Sequence, residues 1–245
     1  MSVSSSILIT GATSGLGREM ATQMASRGEN VIATGRRVDR LEDLESHANI
    51  SGMPLDLTSD KNIATFCEKL GPISGIVLNA GITFADDFLA GDLETDAALV
   101  QTNVSANLQL IRRLLPKLKE SEGRILIVAS LGGLVPVPYQ SVYAGTKAFM
   151  VNFGLSLREE LKDENIQVSV FAPGGIQTEM TDIPAMSHLE KNLAPVSDVA
   201  EAAIKAYDDM PNLMVPGVQN KFVAAAGKLM PRGFMARQAA KIYRK

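Results

Sequence analysis

The sequence predicts a three-layer α/β fold with a parallel sheet of about seven strands. Short β-branched and apolar runs alternate with longer amphipathic stretches along the 245 residues, the pattern of strands joined by crossover helices. The first such run passes directly into a glycine-rich turn that opens a helix. Neither an internal repeat nor a low-complexity linker interrupts the chain, so one domain over residues 1–245 is expected.

Each element has a local reason. Ser6 to Thr10 is a buried-strand run ended by glycine, and the helix after it extends to about Arg27. Val31 to Thr34 gives the second strand and Val38 to His47 the next helix. Met53 to Thr58 closes the third strand, Gly75 to Asn79 forms the fourth, and Thr95 to Leu118 reads as one or two helices. The apolar run Arg124 to Ala129 is a fifth strand, followed by a long helix from Gln140 to Leu161 and a sixth strand from Gln167 to Phe171. Ser197-Asp198 caps a helix to about Asp209, and Leu213 to Val215 is a last strand.

Composition narrows the classes. Hydrophobic residues make up 46% of the chain and mean hydropathy is +0.08, values of an ordinary globular protein. The single Cys67 excludes an intramolecular disulfide and reads as a small buried helix residue. With two histidines, His47 and His188, and no cysteine cluster, no metal site is expected. The first strand begins close to Met1 and no apolar run has membrane-spanning length, so a cytoplasmic protein is expected. No nucleic-acid partner is expected. Charge is uneven: residues 219–245 hold seven Lys/Arg and no Asp/Glu, which leaves 17 basic and 27 acidic residues elsewhere.

The chemistry-bearing residues fall at strand ends. Glycines 11, 15 and 17 lack a Cβ, so the backbone can turn sharply and approach a pyrophosphate at a helix N-terminus. Their GxxxGxG spacing departs from the GxGxxG dinucleotide fingerprint. Where an NAD site would place an acidic residue on the ribose 2′-hydroxyl, Gly35 stands instead, followed by Arg36 and Arg37. Guanidinium groups bind a 2′-phosphate that a carboxylate would repel, which favours NADP(H) over NAD(H). The other reading has them solvating the next helix. Tyr143 and Lys147 are four apart on a helix, about 5 to 6 Å at Cβ, so an ammonium lowers the phenol pKa and, with a bound cofactor's charge, can bring it towards neutrality. Ser130, at the carboxyl end of the fifth strand, is placed to polarise a substrate oxygen.

Thr10-Gly11-Ala12-Thr13-Ser14-Gly15-Leu16-Gly17, Asn79-Ala80-Gly81, Ser130 and Tyr143-Ala144-Gly145-Thr146-Lys147 follow in that order. Over roughly residues 5 to 215 the chain resembles the short-chain dehydrogenase/reductase family. The resemblance implies a Rossmann-like fold in which Gly11 and Thr13 to Gly17, with Leu16 among them, hold the cofactor's pyrophosphate. It implies that Asp56 accepts from the adenine amino group and Leu57 lines the adenine pocket, although Asp56 also reads as a turn or cap residue. Asn79, Ala80 and Gly81 would pass beside the cofactor ribose. Asn103 would hold a local helix distortion and a relay water near Lys147. Pro173, Gly174, Gly175, Ile176 and Thr178 would hold the nicotinamide, with Gly175 and Tyr139 towards the substrate, and residues 179–195 would be a lid.

The implied activity is hydride transfer between NADP(H) and a carbonyl or secondary alcohol. Tyr143 would be the general acid or base, Lys147 would lower its pKa and bind the nicotinamide ribose, Ser130 would polarise the carbonyl and Asn103 would support the relay. Two alternatives stay open: an isomerase or dehydratase that retains the cofactor, and a non-catalytic NADP(H) sensor or lipid-surface adaptor. Relatives commonly assemble through two long helices, so a homodimer or homotetramer is expected. The tail from Pro216 alternates Phe222, Leu229, Met230, Phe234 and Ile242 with basic residues, as two short amphipathic helices broken at Pro231. It reads either as a membrane-surface patch or, the favoured reading, as packing on the body or a neighbouring subunit.

Overall fold

A computed structural model describes residues 5–182 and 193–243. Seven strands form one sheet: β1 (Ser6–Thr10), β2 (Val31–Gly35), β3 (Ile50–Pro54), β4 (Ile73–Leu78), β5 (Arg124–Val128), β6 (Gln167–Phe171) and β7 (Leu213–Met214). All pairings are parallel, in the order β3-β2-β1-β4-β5-β6-β7. Strand order reverses between β1 and β4, which opens a crevice at their carboxyl ends.

Alternation across the sheet builds two core layers. Ile7 and Ile9 face one side, with Met20, Met24, Val199 and Ala203 from helices α1 (Gly15–Ser26) and α7 (Val196–Asp209). Leu8, Ile125 and Ile127 face the other, against Ile63, Leu110 and Met150 from α3 (Asp60–Lys69), α5 (Ala106–Glu120) and α6 (Ser141–Glu160). Because both faces are covered, the strands read as continuous apolar runs. Helix α2 (Val38–Glu45) follows β2 and buries Leu41 and Leu44.

The 95–118 region resolves into α4 (Leu93–Val100), a five-residue π-helical turn over Gln101–Ser105, and α5. The Asp92 carboxylate caps α4 by accepting from the Thr95 amide at 2.7 Å. Ser197-Asp198 does not cap α7. That helix begins at Val196 behind Pro195, whose φ of −56° already suits a helix start, and the Ser197 hydroxyl donates instead to Asp198 at 2.9 Å. At the amino ends of the strands, left-handed residues turn the chain back into the sheet: Gly28 before β2, Asn49 before β3, Glu122 before β5, Asn165 before β6 and Met210 before β7.

The tail forms α8 (Val218–Leu229) and α9 (Arg232–Tyr243), broken at Pro231 as expected. Val218, Phe222, Leu229 and Ile242 stay exposed and do not pack on the body, one half of the favoured reading, whereas the half-buried Tyr243 at the end of α9 comes close enough to Tyr143 to help raise its pKa. Ala224 is the buried residue of α8, and none of α9 is buried. The body approaches α8 too closely for anything bulky: a Cβ on Gly227 would lie 2.5 Å from Val135 Cγ1. Among the described residues no helix is long and apolar enough to cross a membrane. Of the segment expected to act as a lid, residues 183–192 lie outside the described residues.

Helix α6 is seated by a second close approach. A Cβ on Gly154 would meet Val170 Cγ2 at 2.6 Å and Ile127 Cδ1 at 2.8 Å. Gly154→Val is therefore expected to destabilise the protein by about 1–3 kcal/mol through overpacking, read as a lower urea midpoint.

Candidate active site

The crevice between β1 and β4 is closed by backbone hydrogen bonds to a single hydroxyl. Thr10 Oγ1 accepts from the amides of Asn79 and Ala80, each at 3.0 Å, and the Asn79 side-chain amide donates back to the Thr10 carbonyl at 2.9 Å. Above it the chain turns through Gly11 at φ +67° and Gly15 at φ +51°, conformations that cost glycine little. A Cβ on Gly17 would stand 2.4 Å from Asn79 Nδ2 and 2.5 Å from the Gly11 carbonyl. Helix α1 starts behind Ser14 with no side-chain cap and no acidic residue in its first turn, so its positive end is turned to the crevice. Thr178 lies across it, 3.1 Å from where a Gly15 Cβ would be.

The two arginines after β2 diverge. Arg36 lines a cavity with Met53, Leu55, Asp56 and Phe66, beside the buried Leu57. The Asp56 carboxylate accepts from the Thr58 amide at 3.0 Å and the Thr58 hydroxyl at 2.8 Å, which with Arg36 nearby holds its pKa below the usual carboxylate range. Its turn role is thus present in the fold. Arg37 points the other way, donating to the Thr13 carbonyl at 3.1 Å and to Glu179 at 2.9 Å, with Arg40 at 3.7 Å from the same carboxylate. Gly35 faces Thr13 so closely that a Cβ there would lie 2.6 Å from Thr13 Cγ2.

On the other side of the crevice, α6 brings Tyr143 and Lys147 to the end of β5. Ser130 sits just past that strand, its hydroxyl accepting from the Gly132 amide at 3.1 Å and hydrogen-bonded to Tyr143. Lys147 is 5% exposed, donates from Nζ to the Val128 carbonyl at 2.9 Å, and lies 5.8 Å from the centre of the Tyr143 ring. Burial pulls its pKa down to about 8. Tyr143 moves opposite to the expectation: burial pushes its hydroxyl above the ordinary value, and the Ser130 hydrogen bond opposes this only in part.

Asn103, 1% exposed, lies in the π-helical turn. Its Oδ1 accepts from the Ile82 amide at 2.9 Å, and its Nδ2 donates to the Ile82 carbonyl at 2.9 Å and to Thr146 Oγ1 at 3.1 Å. Thr146 in turn donates to the Tyr143 carbonyl at 2.7 Å. Gly81 lies against both Asn103 and Lys147, where a Cβ would be 3.2 Å from Oδ1 and 3.4 Å from Nζ.

The segment after β6 crosses behind Ser130: the Leu131 amide donates to the Pro173 carbonyl at 2.7 Å. Gly174 packs on Asn220 of α8, Gly175 on Leu193, and Ile176 pairs with Ala194. Thr181 accepts from the Thr178 amide at 3.1 Å and donates to the Ile176 carbonyl at 2.7 Å, tying together the backbone of the two residues expected near a carboxamide. Tyr139 holds a left-handed φ of +65° and turns towards Phe84, Phe88 and Leu99. The fold thus gathers Ser130, Tyr143, Lys147, Asn103 and Gly81 in one place, with Arg36 and Asp56 just past the carboxyl ends of β2 and β3. Sequence reasoning quoted Thr10 and Thr146 within their motifs without giving them a role, and placed Glu179 only in the expected lid. Thr146 stood inside the Tyr-to-Lys motif, but its partner Asn103 is 43 residues distant in the chain.

A glycine turn at the switch point of a parallel sheet defines the class of α/β proteins that bind dinucleotides. The short chain dehydrogenase family profile matches residues 5–185, and the chain belongs to that family, whose activity is NAD(P)-dependent oxidoreduction. It is 33% identical over 211 residues to serine 3-dehydrogenase of Agrobacterium fabrum, covering 80% of this chain and 84% of that one. Among solved structures it resembles the closed form of serine dehydrogenase complexed with NADP+, with TM-score 0.79 and 28% identity over 86% of this chain and 93% of that one. A short-chain dehydrogenase from Sphingobium yanoikuyae in complex with NADPH superposes with TM-score 0.82 at 25% identity, covering 94% and 95% of the two chains.

The Lys147 environment predicts a pH dependence. The ammonium titrates near 8 in the fold against 10.5 for a free lysine, so between those values the unfolded chain binds more protons and stability rises with pH. Lys147→Met is expected to remove a rise of about 3 kcal/mol across that window, measured by urea unfolding of the ligand-free protein.

Proposed function

We propose that the chain is an NADP(H)-dependent oxidoreductase acting on a carbonyl or secondary alcohol. The observation that carries this reading is the meeting of Ser130, Tyr143 and Lys147 at the carboxyl end of β5, across the crevice from the glycine turn.

The cradle suits a dinucleotide. Gly11, Gly15 and Gly17 keep side chains out of the turn, and the uncapped first amides of α1 can take the pyrophosphate with Thr13, Ser14 and Leu16 beside them. Arg36, with Asp56 and Leu57, would hold the adenine end, and no carboxylate stands at Gly35 to repel a 2′-phosphate. Asn79, Ala80 and Gly81 would flank the ribose, and Pro173, Gly174, Ile176 and Thr178 the carboxamide. The NADP(H) complexes of the two related structures support the same preference. When bound, the cofactor supplies a hydride to the carbonyl carbon, or receives one from the alcohol.

The chain's own groups handle the proton. Burial keeps the Tyr143 hydroxyl protonated at neutral pH, the state a general acid for carbonyl reduction requires. Ser130, already hydrogen-bonded to Tyr143, is placed to donate to the same substrate oxygen and stabilise the charge developing on it. As Tyr143 gives up its proton, Lys147 stabilises the phenolate and, with a pKa near 8, can pass a proton on at Nζ. Oxidation runs the same path backwards. Asn103 is a positioning residue here, its side-chain atoms engaged by Ile82 and Thr146. The homo-oligomer is read onto α5 and α6, where Phe149 is exposed and stacks on Phe153 at 5.8 Å.

The test combines cofactor titration with turnover of a carbonyl panel. Arg36→Ala is expected to weaken NADPH binding by about 10- to 100-fold, the loss of a charged hydrogen bond, and to leave NADH affinity nearly unchanged. Tyr143→Phe is expected to cut kcat by about 10²- to 10⁴-fold with NADPH affinity retained. Equal losses for both cofactors would overturn the NADP assignment, and an active Tyr143→Phe the acid-base role.

A further inference from the structure

Helix α8 is built with its apolar side outward. Asn220, Ala224 and Gly227 follow i, i+4, i+7 spacing and share the face against the body, on Gly174 and Val135. Val218, Phe222 and Leu229 share the opposite face and are 70%, 72% and 87% exposed. Lys221 and Lys228 run along one flank of that stripe, both exposed. Helix α9 continues the pattern, with Phe234 and Ile242 exposed among Arg232, Arg237 and Lys241. Such a stripe of large side chains on a soluble surface marks a docking face.

Charge decides what docks there. From Met210 to the end the chain holds seven Lys/Arg and no Asp/Glu. A twofold contact between two copies would set the same cations against each other. Contact with the acidic body of another copy, reciprocal or head-to-tail, would pair the charges, and sedimentation velocity distinguishes that outcome below. An anionic bilayer satisfies both features at once: the stripe enters the acyl boundary, and lysine stems lie along it while their ammonium groups reach the phosphates.

We infer that α8 and α9 dock the protein on an anionic membrane surface, α8 lying flat with Val218, Phe222 and Leu229 in the lipid. The inference does not depend on the proposed reaction. It does place the loop at Leu134 and Val135 one helix diameter, about 10–12 Å, from the bilayer.

The experiment is flotation of the full chain with vesicles of phosphatidylcholine alone, or of phosphatidylcholine with phosphatidylglycerol at about 7:3. Wild type is expected to float with the anionic vesicles and stay behind with the neutral ones. Phe222→Ser/Leu229→Ser is expected to bind at least about tenfold more weakly, from lost apolar burial. Lys221→Gln/Lys228→Gln should lose about fivefold per lysine at low salt. All four side chains are exposed, so both variants are expected to melt with the wild type, and thermal unfolding checks this. Absence of wild-type flotation, or equal flotation of the serine pair, would overturn the inference. So would a dimer in sedimentation velocity that the serine pair dissociates, which would make the face a contact between copies.

Discussion

A lysine ammonium drawn out of water needs an acceptor, and for Lys147 that acceptor is the Val128 carbonyl at the last residue of β5. The bond fixes the rotation and height of α6 on the sheet, and with them the position of Tyr143 one turn earlier. Gly133 allows the fit, because its backbone passes where a Cβ would stand 2.6 Å from the Lys147 carbonyl. Asn103 adds a second attachment by tying Ile82 to Thr146, so the far end of β4, the π-helical turn and α6 move as one. The cost of burying the charge appears as the depressed lysine pKa, which is also the property that suits it to proton transfer.

Across the switch point the same economy of groups recurs. One hydroxyl, on Thr10, serves two amides of the Asn79-Ala80 turn, and the Asn79 side chain returns the bond to β1. The two halves of the site are therefore braced on adjacent strands before any ligand arrives, which lowers the ordering cost of binding. Arg37 and Glu179 add a looser link between the end of β2 and the segment following Thr178. Both are substantially exposed, so this pair contributes little to stability and can open without consequence for the core.

The sheet was legible because parallel strands covered on both faces carry apolar residues towards both sides, as Ile7 to Ile9 of β1, Ile125 to Val128 of β5 and Val168, Val170 and Phe171 of β6 do. The glycine turn and the Tyr143-Lys147 spacing were legible because each is a local requirement on neighbouring residues. The π-helical turn was expected only through the resemblance, as a distortion at Asn103, since a shift of hydrogen bonding to i−5 leaves no mark in propensity and Asn103 meets Ile82 from 21 residues away. The partner of Arg37 is 142 residues distant in sequence. Alternation of apolar and basic residues identified the tail as two short amphipathic helices but not which face meets the body; the narrow space at Val135 decides that. The direction of the Tyr143 shift also escaped, because desolvation is a property of the packed protein and not of the ammonium four residues along.

The left-handed turns at Asn49, Glu122 and Asn165 carry a practical meaning for anyone altering this molecule. They form a rim at the amino ends of five-residue strands, about 17 Å from the reacting groups at the carboxyl ends. A fluorophore, an affinity tag or a new terminus placed on that rim is shielded from the chemistry by the full depth of the sheet. The protein thus has a reactive pole and an editable one, and drift or engineering can rewrite the second while the first stays in register.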